Sequence, residues 1–229
     1  MEHSPLDLMP MVHLLQALGN TRMVGVVRVP WNDAVTVKRV LDAGATTVLF
    51  PFVQNAQEAA RAVAATRYPP QGQRGISGMS RATKFGTVPN FLASANDGMG
   101  VIVQLETLEA LEHLEAIAAV DGVNALFIGP ADLSASMGHL GQFTHPAVMQ
   151  VVAQAVQRCK AAGIPVGTVG GTPDVVTQYR AMGFDYLAVS SDMGLLMNGA
   201  RTALQALRVS SEETFVHSLQ TGTQTPGGA

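Results

Sequence analysis

Short apolar, β-branched runs alternate with helical periodicity along most of the chain. Strands are predicted at 24–28, 46–52, 101–106, 124–129, 165–169 and 186–190. Helices are predicted near 6–18, 33–43, 55–66, 107–119, 146–162, 173–182 and 193–207. Runs such as Val101-Ile102-Val103 and Leu126-Phe127-Ile128 are apolar throughout, as strands covered on both faces require. Their alternation with helices argues for a parallel sheet with right-handed crossovers. Asn55 and Thr172-Pro173 read as helix starts, and Gly44, Gly163 and Gly183 as helix ends. The fold class expected is α/β. With six strands where a closed TIM (β/α)8 barrel has eight, the chain reads either as an incomplete barrel or as an open sheet. Met1-Glu2-His3-Ser4-Pro5 reads as the end of a strand whose body is missing.

Two stretches depart from the rhythm. Residues 67–92 are punctuated by Pro69-Pro70, Gly72, Gly75 and Gly78 and carry Arg67, Arg74 and Arg81; so long a loop is usually functional or disordered. Residues 1–208 are expected to form one domain. Residues 209–229 are expected to be an extension, disordered from about residue 219.

Composition narrows the function classes. The chain has 229 residues, 47% of them hydrophobic and 14% charged, which suits one large domain. A net charge of −3, three Tyr and one Trp give no footprint for nucleic acid. No run approaches a membrane span, and the first residues lack the basic region of a signal peptide. Cys159 is the lone cysteine, so no internal disulfide forms and a reducing, cytoplasmic setting is expected.

The candidate chemistry lies at strand exits. Glu106 closes the run from Val101, and Asp132 follows the run Leu126-Phe127-Ile128. A charge at the exit of a buried strand is costly unless something answers it, and in a parallel barrel that exit is the catalytic face. Two such acids read as a hard-metal site with open positions for water and substrate, or else as helix-cap or salt-bridge acids. Gln104 shares a strand face with Glu106 by the period-2 rule. Backbone N–H groups at Ala131 and Asp132, at the start of a short helix, suit a substrate carboxylate. Arg28 ends its strand and can face a developing oxyanion, or be a surface arginine. His3 is a candidate base, although a histidine near a chain terminus is commonly only solvated. Lys38, Lys84 and Lys160 all lie away from strand exits, so carbonyl chemistry here is expected to use a metal and not an imine.

Taken together, Glu2-His3-Ser4-Pro5, Val26-Val27-Arg28-Val29-Pro30, Leu41-Asp42-Ala43-Gly44, Arg67-Tyr68-Pro69-Pro70, Val103-Gln104-Leu105-Glu106, Gly129-Pro130-Ala131-Asp132 and Val189-Ser190-Ser191-Asp192 resemble the metal-dependent pyruvate aldolases of the HpcH/HpaI family. The resemblance runs from Met1 to about Leu207. It implies a barrel of the phosphoenolpyruvate/pyruvate type, here with six of eight strands, and a homohexamer. It implies Glu106 and Asp132 as ligands of a divalent ion, usually Mg²⁺, with Mn²⁺ or Co²⁺ as alternatives. Gln104, Ala131 and Asp132 would bind the 2-oxo acid. Arg28 would stabilise the enolate oxygen, His3 would be the base, and Asp42 would raise its basicity. Arg74 or Arg81 would meet the far end of a substrate near a subunit contact.

Within the family, Pro51-Phe52-Val53 and Gly138-His139-Leu140-Gly141 are most similar to aldolases that cleave 2-dehydro-3-deoxyglucarate to pyruvate and tartronate semialdehyde. Val53-Gln54-Asn55-Ala56 points instead to those acting on 4-hydroxy-2-oxoheptanedioate, which give succinate semialdehyde. Family chains carry a further N-terminal portion with two strands, and with an aspartate three positions before the matching histidine. A start site at an internal methionine, or an inactive truncated barrel fragment, are the two readings of that difference.

Overall fold

A computed structural model describes residues 1–220, with side chains through residue 208. The expectation of disorder over 221–229 lies outside the described residues. The chain forms two compact units, Met1–Ala188 and Val189–Ala229, a division that falls inside the domain expected over 1–208.

The first unit alternates strands and helices: α1 (Leu8–Leu18), β1 (Val26–Arg28), α2 (Ala34–Asp42), β2 (Thr47–Phe50), α3 (Ala56–Thr66), α4 (Phe91–Ser94), β3 (Gly100–Leu105), α5 (Leu108–Glu112), α6 (Leu114–Ala118), β4 (Ala125–Ile128), α7 (Pro130–Ser136), α8 (Pro146–Ala161), β5 (Val166–Val169), α9 (Pro173–Met182) and β6 (Tyr186–Ala188). The six strands pair in sequence order, all parallel, as a half-barrel. Among the described residues β1 and β6 each have one strand neighbour.

Strand residues alternate between two cores. Val27, Val48, Phe50, Val101, Val103, Leu126 and Val166 join the helices in the larger one. Leu49, Ile102, Ala125 and Phe127 form a smaller cluster on the inner face, with Tyr186 against it. Gly167 makes room there, since a Cβ would come within 2.1 Å of the Tyr186 ring.

Helix starts are set by side-chain caps. Asn55 accepts from the Glu58 N–H, while the Glu58 carboxylate reaches back to the Gln54 N–H, which satisfies two free donors at the head of α3. Thr172 caps α9, and Asp33 caps α2. The single helix predicted over 107–119 is two. At His113 the backbone leaves helical geometry (φ −95°, ψ 11°), and the His113 ring lies 3.1 Å from the Gln54 carbonyl. Each half buries its own apolar pair, Ala110 with Leu111 and Leu114 with Ile117. Cys159 is buried, and that burial pushes its thiol up to about 12, which suits a core residue.

The loop over 67–92 is tied down. Arg67 donates to the Met99 carbonyl (3.2 Å), the Tyr68 N–H to Asn96 (2.7 Å), and Arg81 to the Ala43 carbonyl (3.0 Å). All of these anchors lie at the N-terminal ends of β2 and β3. In the second unit α10 runs from Asp192 to Gln220. The Ser191 hydroxyl accepts from the Gly194 N–H (3.0 Å). Among the described residues no helix is long and apolar enough to cross a membrane.

Candidate active site

The parallel sheet sends every strand exit to one end, and Glu106 stands there directly after β3. It is 2% exposed. Its Oε1 accepts from the Phe52 N–H at 2.8 Å and its Oε2 from the Gln104 amide at 2.5 Å. Gln104 and Glu106 therefore do share a face of the strand. The Oε1 of Gln104 is buried and has no partner. Gly129, at the end of β4, is the reason these groups fit. A Cβ there would lie 2.7 Å from the Glu106 Oε2 and 3.1 Å from the Gln104 Nε2.

Burial of Glu106 outweighs the hydrogen bonds that its carboxylate accepts. Burial, first, and then the charges of Asp132 and Glu2 push its carboxyl up to about 7, against the lowering effect of the Gln104 and Phe52 hydrogen bonds. Asp132, whose side chain is exposed, sits in the first turn of α7. The N–H groups of Ala131 and Asp132 in that turn have no intrahelical acceptor.

Arg28 ends β1 and is partly exposed; its Nε lies 2.9 Å from the Glu2 Oε2 as an ion pair. The Met1 amino group donates to the Arg28 carbonyl (2.9 Å), so the first residues run beside the exit of β1. His3 is two-thirds exposed, and its Nε2 lies 3.7 Å from the same Glu2 oxygen. Glu2 thus touches Arg28 and His3 and acts on Glu106, a junction that residue-by-residue reading missed.

Within one chain, three of the expected residues lie away from the strand exits. Asp42 does not stand behind His3 of the same chain. It is the last residue of α2, which runs antiparallel to the strands, so it lies at the N-terminal end of the sheet. There it accepts from the Arg74 Nη2 at 2.9 Å. Arg74 and Arg81 also lie at that end and line a cavity of about 530 Å³ there, on the side of the chain away from Glu106. Within one chain neither meets a substrate bound at the strand exits.

Phe52 was also missed. Its φ is +56°, a left-handed conformation that costs a residue with a Cβ about 1 kcal/mol. Its ring stacks on Trp31 at 6.0 Å. No spacing in the sequence signals such a backbone angle.

Among the described residues, no group of three or more His, Cys, Asp or Glu side chains could hold a metal ion. Glu106 and Asp132 would make a two-carboxylate donor set. Such a set fits a hard divalent ion that keeps several waters, and the unpartnered Gln104 Oε1 offers those waters an acceptor.

Comparison with known proteins gives the family. The profile of the HpcH/HpaI aldolase/citrate lyase family matches residues 1–199. The chain belongs to that family. It is 47% identical over 208 residues to a 2-dehydro-3,6-dideoxy-6-sulfogluconate aldolase of Pseudomonas putida, covering 91% of this chain and 82% of the relative. It is 44% identical over 200 residues to a 5-keto-4-deoxy-D-glucarate aldolase of Salmonella arizonae, covering 87% and 78%. A solved HpcH/HpaI aldolase/citrate lyase family structure from Burkholderia cenocepacia superposes with a TM-score of 0.87 at 42% identity, covering 91% of this chain and 83% of the other. As a member of the HpcH/HpaI family the chain is a carbon–carbon lyase, and the strand exits of its half-barrel are where that chemistry is sought.

Proposed function

We propose that this HpcH/HpaI family member is a divalent-ion-dependent aldolase that cleaves a 4-hydroxy-2-oxo acid to pyruvate and an aldehyde. The observation that carries this reading is Glu106, a buried carboxylate at a strand exit that is raised toward neutrality by burial and by two nearby acids. A doubly charged cation is the ligand that such a site would favour. Glu106 and Asp132 would hold it, with Mg²⁺ first and Mn²⁺ or Co²⁺ as substitutes. When bound, the ion supplies Lewis-acid polarisation of the 2-oxo group.

The chain's own residues do the rest. Gln104 and the first-turn N–H groups of Ala131 and Asp132 orient the oxo-acid head. His3 takes the proton of the C4 hydroxyl, the C3–C4 bond breaks, and the aldehyde leaves. The electron pair of that bond becomes the enolate, whose oxygen faces the Arg28 guanidinium. Protonation at C3 gives pyruvate. Within one chain, Glu2 is a carboxylate beside His3.

Both named relatives act on sugar acids with a deoxygenated carbon next to the oxo group. One of these acids ends in a carboxylate and the other in a sulfonate. The substrate proposed is therefore a 2-dehydro-3-deoxy sugar acid with an anionic far end, of the 2-dehydro-3-deoxyglucarate type. A homo-oligomer, a hexamer as the family resemblance implies, would let the cationic end of one subunit, with Arg74 and Arg81, approach the strand exits of another.

Pyruvate release from 2-dehydro-3-deoxyglucarate, coupled to lactate dehydrogenase, tests the reading. Turnover should vanish in excess EDTA and return with Mg²⁺ or Mn²⁺. Undiminished turnover in chelator rejects the ion-dependent mechanism, and release of no pyruvate from any such acid rejects the aldolase.

A further inference from the structure

The chain between β2 and α3 behaves oddly at one residue. Phe50 ends β2, and the Val53 N–H returns to the ladder by donating to the Gln104 carbonyl at 3.2 Å. Between them, Phe52 takes φ +56° and turns its N–H out of the ladder, onto the Oε1 of Glu106. Glycine would adopt that angle without strain. A phenylalanine there carries a ring that is not core, being 39% exposed, and it stacks on Trp31, which is 58% exposed. Trp31 belongs to the loop after β1, and that loop is itself tied across, since the Asn32 amide donates to the Glu58 carbonyl at 2.9 Å. The two rings line a cavity of about 170 Å³ together with Pro51, Glu58 and Arg61. Two exposed aromatics from different loops thus meet at the one backbone kink that feeds a hydrogen bond to the buried carboxylate.

We propose that Phe52 and Trp31 are positioning residues. Their stacked rings latch the loops after β1 and β2 together and hold the Phe52 peptide in its left-handed turn. Its N–H thereby fixes the rotamer in which Glu106 meets its cation. Taking Glu106 as the ion ligand proposed above, this assigns a role to two residues outside the ligand set. Neither ring need touch substrate. The kink fixes the carboxylate from the β2 side as Gln104 does from its own strand. Removing one ring frees the other, so the pair acts as a unit.

Mn²⁺ binding measured by electron paramagnetic resonance, without substrate, tests this, with melting temperatures taken on the same samples. Trp31→Ala and Phe52→Ala should each weaken Mn²⁺ binding about tenfold, the scale of lost support behind a metal ligand. The double variant should be no weaker than either single one, and Phe52→Tyr, which keeps the stack, should bind like the parent. Trp31→Ala leaves the Phe52 backbone untouched in sequence, so it remains informative if Phe52→Ala fails to fold. Parent-like Mn²⁺ affinity in Trp31→Ala, or additive losses in the double variant, overturns the latch. Glu106→Gln separates the two readings. If it loses Mn²⁺ while Trp31→Ala does not, the latch alone is wrong. If it binds Mn²⁺ as the parent does, the ligand assignment is wrong and the latch goes with it.

Discussion

At the N-terminal ends of β2 and β3, Arg74 is almost inaccessible, yet its charge is met. Asp42 lies at 2.9 Å, and the Tyr68 ring lies 4.5 Å beneath the guanidinium. At the opposite end Glu106 is as deeply buried, but the charges that reach it are Asp132 and Glu2, which repel it. A buried charge answered within the chain fastens structure; here it pins the 67–92 loop to the end of α2. A buried carboxyl whose charged neighbours share its sign is a candidate for function. Within one chain, the motif aspartate Asp42 belongs to the answered pair.

The largest expected effect lies at the exit end. Glu106→Gln should lower kcat/KM for pyruvate release by about 10³-fold, since polarisation by a held cation is worth several kcal/mol of barrier. The protein should stay folded. A variant with near-parent turnover would erase the distinction between the two ends.

Asp42→Asn should do the reverse. Leaving the Arg74 charge buried without its partner should cost about 3 kcal/mol of stability, at the low end for a broken buried pair because Asp42 is a quarter exposed. Its denaturation midpoint should fall while Mn²⁺ affinity holds. Full stability with lost turnover would instead restore Asp42 to the reaction.

Acid–base behaviour sharpens the comparison further. The Glu106 carboxyl rises from 4.5 to about 7 on folding, so the folded state binds the proton more tightly. Its stabilising contribution is complete below about pH 4.5 and is lost as pH rises through about 7, up to about 3 kcal/mol in all. In metal-free protein, the melting temperature of the parent should therefore fall relative to Glu106→Gln between pH 5 and 8. Mn²⁺ binding should weaken below about pH 7, because the ligand must shed its proton first. Parallel melting curves for the two proteins would mean that Glu106 does not titrate there.

The smallest effect belongs to neither end. Arg158 and Glu115 form a bidentate pair on the surface, with Glu115 held down at about 2, chiefly by the Arg158 hydrogen bond. Exposed as the pair is, Arg158→Ala should change the denaturation midpoint by less than about 1 kcal/mol and leave turnover alone.

Much of this was legible in residue order. Alternating apolar runs place all six strands within a few residues of their positions. Caps at Asn55 and Thr172 are local chemistry, and so is the shared face of Gln104 and Glu106. What stayed hidden depends on distance in the chain or on backbone angle. Asp42 meets Arg74 across 32 positions that include β2 and α3, which no periodicity encodes. Glu2 reaches Arg28 only because the first residues run beside the exit of β1. The kink at Phe52 leaves no mark in composition, and the break at His113 interrupts a pattern that reads as one amphipathic helix. Gly129 stands where a helix-capping glycine is ordinary, so its close approach to Glu106 appears only in three dimensions.

Anomalous diffraction from crystals soaked in Mn²⁺ locates the cation. One strong peak is expected at the strand exits, about 2.1 Å from oxygens of both Glu106 and Asp132, and none at Asp42. A peak at the N-terminal end beside Asp42, or none within coordination distance of Glu106, would contradict the ligand assignment.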